Sequence, residues 1–83
     1  MRLLWEADAL DDLARAADWS VPQARAVVQA MERMAASGWS LGRSTLAPDQ
    51  RYWPVPPLGV IYRVVGDELR VLAVVDLRLS DLP

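Results

Sequence analysis

Several side chains on which enzymes depend are missing from this 83-residue chain, which contains no cysteine, histidine, lysine or asparagine. Without cysteine and histidine, disulfide bonds, the usual zinc and copper sites and the Cys-His and Ser-His catalytic pairs are excluded. Without lysine, Schiff-base catalysis and the P-loop lysine are excluded as well. Any catalytic group must therefore come from arginine, tyrosine, aspartate, glutamate, serine or threonine, and we expect no cofactor.

The composition is that of one small folded domain. Hydrophobic residues make up 53% of the chain and charged residues 24%, which is far from the composition of disordered segments. A chain this short forms a single core, so we expect one domain over residues 1–83. The net charge of -2 argues against general nucleic-acid binding, because such domains are strongly basic. The longest uncharged run, residues 52–62, is too short to span a membrane, so we expect a cytoplasmic protein without a membrane partner.

The first half of the chain carries two helical patterns. The apolar run at residues 2–5 predicts an edge strand, and Asp8 then predicts the N-cap of a helix over residues 8–18. The segment Ser20-Val21-Pro22-Gln23 has the form of a capping box and predicts a second helix that ends at Gly38. The short connection predicts a helical hairpin over residues 8–37. Its expected packing positions are Leu10, Leu13, Ala14, Ala17, Ala24, Val27, Val28, Met31, Met34 and Ala35.

The second half of the chain predicts β-strands. Residues 39–50 show no periodicity and predict a loop, whereas residues 51–55, 58–65 and 68–77 predict strands, with a two-residue hairpin turn at Gly66-Asp67. Since cross-strand partners share a face, this turn predicts one apolar face. Its members are Leu58, Val60, Tyr62, Val64, Leu69, Val71, Ala73 and Val75. We expect the helical hairpin to cover it, which gives an α+β fold with a small antiparallel sheet of three to four strands.

Charged and aromatic residues are expected on the other face of this sheet. Arg63 and Arg70 come directly opposite each other, which is unfavourable unless an anion lies nearby, so they are a candidate nucleic-acid or anion site. The alternative is that Glu68 neutralises them in a solvated ion-pair face. Tyr52 and Trp53 alternate in direction, so one of them lies beside the arginines. Trp53 is the candidate for stacking on a base, and its alternative role is closing the sheet edge.

The remaining aromatic residues divide between core and surface. Tyr62 is expected to face the helices and pack in the core. Trp19 and Trp39, at the two ends of the second helix, are candidate partner-binding residues, because so small a core does not bury four tryptophans. Each of them alternatively staples its helix end. The first helix carries three aspartates predicted to be solvated: Asp11, Asp12 and Asp18.

The order of elements and several short patterns resemble the RelE/ParE superfamily of bacterial toxins over nearly the whole chain. The patterns are Trp5-Glu6 before Ala9-Leu10-Asp11-Asp12-Leu13, Val60-Ile61-Tyr62-Arg63-Val64 before Gly66-Asp67, and Leu72-Ala73-Val74-Val75 before Arg78. The resemblance implies a RelE/ParE-like fold. It also implies a toxin of a bacterial type II toxin-antitoxin pair, neutralised by an antitoxin segment that wraps its surface.

The ribonuclease branch of this superfamily cuts ribosome-bound mRNA with basic residues and a tyrosine on the open sheet face. By resemblance, Arg51 and Arg78 are the candidate catalytic residues. Three features depart from that branch: Gly59 stands where an arginine is expected, the expected lysines are absent, and no tyrosine lies near the C-terminus. The resemblance therefore implies an incomplete catalytic set.

Three functions remain open at this point. The first is a toxin that inhibits translation by ribosome-dependent mRNA cleavage. The second is a toxin, or a relative of one, that binds a protein target as the gyrase-directed branch does. The third is a non-toxic interaction domain of the same fold. An antitoxin is the expected partner; the ribosome or its mRNA, a gyrase-like protein and a second copy of this chain are further candidates, and whether the chain is an enzyme stays open.

Overall fold

Two helices pack on one face of a mixed β-sheet. The computed structural model describes residues 1–37 and 49–77 in full and residues 43–44 by their backbone. In these residues the elements are β1 (Arg2–Trp5), α1 (Ala7–Trp19), α2 (Val21–Ser37), β2 (Arg43–Ser44), β3 (Arg51–Val55), β4 (Leu58–Val65) and β5 (Glu68–Asp76). The strand order is β1-β5-β4-β3-β2.

This architecture confirms the predicted α+β fold with an N-terminal helical hairpin on one sheet face. The prediction of an antiparallel sheet with three to four strands was wrong in two details, because the sheet is mixed and has five strands. Strand β1 pairs with β5 in parallel, whereas the other neighbouring strands are antiparallel. The two-residue strand β2 adds to the far edge of the sheet from within the stretch predicted as a loop. Strands β1 and β2 therefore form the two edges of the sheet, and β5, β4 and β3 lie between them.

One residue, Ser20, joins the two helices. Its backbone N–H donates to the carbonyl of Ala16 and closes α1, while its hydroxyl accepts the N–H of Gln23 at 3.2 Å and opens α2. The predicted cap is therefore confirmed, but the second half of the capping box is not formed. The Gln23 amide instead donates to the carbonyls of Val55 and Pro56, at 3.0 and 3.1 Å. This side chain ties the start of α2 to the turn between β3 and β4.

The core lies between the helical hairpin and the sheet. The sheet side contributes Leu58, Val60, Tyr62, Leu69, Val71 and Val74, all of them buried. The buried positions of α2 are Ala24, Val27, Ala30, Met31, Met34 and Ala35. The predicted α2 stripe is thus confirmed, with Ala30 added and Val28 only partly covered. Methionines and alanines let the helix lie close to the branched side chains of the strands.

Helix α1 turns a different side to the sheet than its apolar pattern predicted. Its buried residues are Ala9 and Ala16, whereas Leu10 of the predicted stripe is 51% exposed. The helix begins at Ala7, and Asp8 lies in its first turn rather than at the cap. Since α2 also packs along α1, the larger apolar side chains of α1 lie toward the groove between the helices. The smaller alanines permit close approach to β5.

Asp12 lies on the same side of α1 as Ala9 and Ala16, at helical spacing. Its Oδ2 accepts the backbone N–H of Val74 at 3.0 Å, and its Oδ1 pairs with Arg15. The prediction that Asp12 is solvated was therefore wrong, although Asp11 and Asp18 are exposed as predicted.

A β-bulge changes the predicted pairing of the hairpin strands. Near the turn the predicted pairs are confirmed, with Val64 opposite Leu69 and Tyr62 opposite Val71. The register then shifts at Ile61/Tyr62, leaving Leu72 as the extra residue. Beyond the bulge, the pairs are Ile61 with Ala73, Val60 with Val74, Gly59 with Val75 and Leu58 with Asp76.

One extra residue moves every later side chain of β5 to the other face. Val74 is therefore buried toward the helices, at 8% exposure, and the predicted core positions Ala73 and Val75 are not. Val64 was also predicted to lie in the core. It is exposed instead, because it lies beside the hairpin turn, beyond the cover of the helices.

Candidate functional site

The described helices leave one face of the sheet uncovered, which we call the open face. Among fully described residues, strand register assigns to it Arg2, Leu4, Tyr52, Pro54, Gly59, Ile61, Arg63, Val65, Glu68, Arg70, Ala73 and Val75, and the unpaired Leu72 follows the helix-facing Val71. Arg43 of β2 pairs with Tyr52 of this face. The fully described charged members lie toward the hairpin turn, and the apolar members fill most of the remaining area. The open face therefore combines a small ionic cluster with an apolar surface.

The ionic cluster consists of three arginines and two carboxylates. Arg2 Nη2 lies 2.6 Å from Glu68 Oε2, while Arg70 places Nε and Nη2 at 3.1 and 2.9 Å from Glu68 Oε1. Arg63 Nη1 lies 3.3 Å from Asp49 Oδ2. The hydrogen bond from Arg70 is the main cause that lowers the pKa of Glu68 below its ordinary value of 4.5, and the charges of both arginines add to it. Glu68 thus stays ionised while it bridges two strands.

Arg63 and Arg70 face each other across β4 and β5, as predicted. Arg70 shares Glu68 with Arg2, which matches the predicted alternative of an ion-pair face. Arg63 is different, because its Nε is buried and has no hydrogen-bond partner. The two arginines are therefore side by side, but Arg70 has both its Nε and Nη2 hydrogen-bonded to Glu68, whereas Nε of Arg63 has no acceptor.

Arg51 does not join these arginines. It pairs with Tyr62, and cross-strand partners share a face, so Arg51 lies on the helix-facing side of the sheet. Its side chain is exposed because the helices do not extend over this end of β3. The prediction that Arg51 acts from the open face was wrong. The pairing of β3 with β4, which the tight turn between them decides, puts Arg51 and Arg63 on opposite faces.

Trp53 was predicted to lie beside the arginines and lies on the opposite side. It pairs with Val60 and packs against the core, lining a cavity of about 300 Å³ with Met34 and Arg33 of α2. Tyr52 is the aromatic residue of the open face. The alternation of the two side chains was correctly predicted, but the choice between them needed the register of β3.

Tyr52 covers Gly59 on the open face. A Cβ built at Gly59 lies 2.5 Å from Tyr52 Cε2 and 2.7 Å from its hydroxyl oxygen. A side chain at position 59 and the present position of the tyrosine ring are therefore incompatible. The aromatic ring occupies the space in which the resemblance led us to expect an arginine.

The two remaining tryptophan and tyrosine predictions have different outcomes. Tyr62 is fully buried among the core residues, as predicted. Trp19 is 46% exposed at the end of α1 and lines a cleft of about 310 Å³ with Asp12, Arg15 and Asp76. Two other predicted site residues, Trp39 and Arg78, lie outside the described residues.

A second uncovered surface lies on the outer side of the helical hairpin, which we call the hairpin groove. It has a volume of about 460 Å³ and is lined by Leu10, Leu13, Ala14, Ala17, Val21, Ala24, Arg25 and Val28. Leu10 and Val21 are 51% and 53% exposed. The predicted packing positions of the two helices contained six of these eight residues, but assigned them to packing on the sheet. Sequence periodicity showed the apolar stripe without showing which neighbour it faces.

No group of three or more acidic side chains that could hold a metal ion occurs in residues 1–37 and 49–77. Across those same ranges, neither helix has the length and apolar character needed to cross a membrane.

The sequence matches no protein-family model and no curated protein. Among solved structures, the chain is similar to one described as the chromosomal ParDE TA system from P. aeruginosa, where TA denotes toxin-antitoxin. The two share 20% sequence identity, and the match has a TM-score of 0.79 over 92% of this chain and 95% of that one. The chain therefore has the ParE/RelE-like fold that the resemblance implied.

Proposed function

We propose that this chain is the toxin component, or a toxin-like relative, of a bacterial type II toxin-antitoxin module. The observation that carries the proposal is the fold shared with the ParDE structure across almost the whole of both chains. A match of this extent leaves no separate domain to supply another activity within these 83 residues. Fold alone does not assign function, so the proposal needs support from the surfaces of the molecule.

The hairpin groove supports an antitoxin as the partner. It is apolar along its length, and exposed apolar surface of this kind is a feature of protein interfaces. Its walls are two antiparallel helices, which is the shape that receives the apolar side of an amphipathic helix. Arg25 is the charged residue of the lining, so a complementary helix carries an acidic residue at that point. We therefore expect the antitoxin segment to dock here.

The open face supports inhibition by protein binding over mRNA cleavage. Two of the three arginines in its ionic cluster share Glu68, and Arg51 lies on the other side of the sheet. An arginine also stays protonated, so it stabilises phosphate charge but does not act as a general base. Tyr52 and Glu68 are the open-face side chains of the described residues suited to proton transfer, and both oxygens of Glu68 are already engaged by arginines. Arg43 pairs with Tyr52 in strand register, so the open face offers one tyrosine next to one arginine position rather than the larger basic set of a ribonuclease. A ribonuclease with this set is expected to be slow.

Growth and cleavage assays test the proposal together. The chain is expressed in a bacterial host from a tightly repressed promoter, alone and with the product of the adjacent gene. We expect growth arrest by the chain alone, rescue by the adjacent product, and no new mRNA ends by primer extension. Leu10→Glu should abolish rescue and leave arrest intact, since it places a charge in the hairpin groove. Asp11→Glu, at an exposed neighbouring position outside the groove lining, is the matched control.

Each alternative function has its own result in the same assays. New mRNA ends that depend on the ribosome and appear as early as growth stops would establish the endoribonuclease instead. A stable complex with the adjacent product but no arrest would indicate the non-toxic interaction domain. Rescue that persists with Leu10→Glu would remove the hairpin groove as the antitoxin site, while leaving the toxin assignment in place.

A further inference from the structure

We propose that the open face binds an apolar peptide segment of a partner protein that carries one carboxylate, held by the guanidinium of Arg63. The ionic cluster contains more guanidinium groups than carboxylates. Both oxygens of Glu68 are already engaged, one by Arg2 and the other by Arg70. Asp49 contacts Arg63 through one nitrogen only. Three guanidinium groups thus share two carboxylates, which leaves one positive charge on this part of the surface.

The Arg63 guanidinium has only part of its hydrogen-bonding capacity satisfied. Nη1 is the nitrogen that meets Asp49, and Nε is buried without an acceptor. A carboxylate binds a guanidinium best along one edge, through Nε and one terminal nitrogen together. That edge of Arg63 is the one left unsatisfied by the described contacts. The side chain is 35% exposed and Asp49 is 68% exposed, so Asp49 can be exchanged for an incoming carboxylate at the surface. A change of the Arg63 rotamer must accompany this exchange, because Nε itself is buried.

The apolar surroundings of Arg63 favour a protein segment over a nucleic acid. Ile61 and Tyr52 lie on the open face next to Arg63, and Leu72 follows Arg70 on β5. A nucleic-acid backbone presents a row of phosphates, and its affinity rises with the number of cations that meet them. The one surplus charge of the ionic cluster, even with the Arg43 position that pairs with Tyr52, does not provide such a row on a chain of net charge -2. A single carboxylate between apolar side chains matches both parts of this surface.

The inference is tested by NMR titration of the ¹⁵N-labelled protein with two acetylated and amidated pentapeptides, Ser-Leu-Glu-Leu-Ser and Ser-Leu-Gln-Leu-Ser. We expect the glutamate peptide to shift the Arg63 side-chain Nε resonance and the backbone amides of Ile61 and Leu72. The glutamine peptide should bind about fivefold more weakly, because it lacks the charge-assisted hydrogen bonds. Arg63→Gln should abolish this difference, whereas Arg25→Gln in the hairpin groove should preserve it.

Several results would overturn the inference. They are equal binding of the two peptides, no binding of either, perturbations confined to the hairpin groove, or tighter binding of a decathymidylate DNA than of the glutamate peptide. If Arg63→Gln fails to fold, the comparison of the two peptides on the wild-type protein decides alone, and Arg63→Lys tests the two-nitrogen geometry. The outcome does not depend on the toxin assignment, since the titration measures binding without growth arrest.

Discussion

The contact between Asp12 and the bulged strand gives the sharpest prediction about the fold. Asp11 and Asp12 are adjacent in the middle of α1, so replacing either by alanine changes helix propensity and dipole interactions by similar amounts. Only Asp12 accepts the backbone N–H of Val74, at 3.0 Å. The difference between Asp11→Ala and Asp12→Ala therefore isolates that contact.

The magnitude follows from what Asp12→Ala leaves behind. The N–H of Val74 loses its acceptor in a partly buried position, and an unsatisfied buried donor costs about 1–3 kcal/mol. The lost ion pair adds little, because Arg15 is 71% exposed and exposed pairs contribute about 0–1 kcal/mol. We expect Asp12→Ala to lower the free energy of unfolding by about 1–3 kcal/mol relative to Asp11→Ala. For a domain of this size, that corresponds to roughly 4–8 °C of melting temperature per kcal/mol.

Urea denaturation followed by circular dichroism, with thermal melts of the same proteins, measures this difference. Arg15→Ala serves as a control for the ion pair and should change stability by less than about 1 kcal/mol. Equal unfolding free energies for Asp11→Ala and Asp12→Ala would show that the Asp12 carboxylate does not hold the bulge. A loss for Arg15→Ala as large as that for Asp12→Ala would assign the effect to the ion pair instead.

Three further predictions concern the sheet. Val71→Asp should unfold the protein because Val71 is fully buried, whereas Val64→Asp should leave a folded protein by circular dichroism; a folded Val71→Asp variant would contradict the assigned face. Gly59→Ala should lower the melting temperature by displacing Tyr52, and Tyr52→Ala should remove most of that loss; additive effects would exclude the contact. The pKa of Glu68 is lowered by folding, so its stabilising contribution is complete above its unfolded pKa near 4.5 and disappears as pH falls through the lower folded value. Glu68→Gln should therefore be less stable than wild type at pH 7 and should approach it as the pH falls toward 3, and a gap independent of pH would contradict this.

The sequence predicted the bounds and the turn of the hairpin strands but not their bulge. The bounds of β3 and β4 and the turn at residues 66–67 follow from local signals, namely β-branched runs and turn residues. The bulge at Leu72 has no such signal. Strand β5 pairs with both β4 and β1 and also contacts α1, so the position of the bulge depends on all three neighbours. Asp12 of α1 contacts β5 at Val74, two residues beyond the bulge. Sequence alternation continued through Leu72 and so predicted the wrong face for Ala73 and Val75.

The sequence likewise predicted some features of the candidate site and not others. The opposition of Arg63 and Arg70 follows from the length of the turn between their strands, because a two-residue turn determines the pairing next to it. The separation of Arg51 from Arg63, and the exchange of Trp53 for Tyr52 on the open face, depend on how β3 pairs with β4. The two-residue turn at residues 56–57 decides that pairing, but its two prolines were interpreted only as a break in the strand and not as a hairpin turn.

The sequence by itself determined the helical hairpin, the principal strands and the absence of thiol, imidazole and amine chemistry, because these depend on residue type and short-range spacing. Only the tertiary structure decided the faces of the β5 residues beyond Leu72, of Arg51 and Trp53 on β3, and of the side chains of α1. Facing depends on strand register and on which side of α1 meets the sheet, and both are determined by packing between elements distant in sequence. The hairpin groove and the unsatisfied Nε of Arg63 are consequences of that packing.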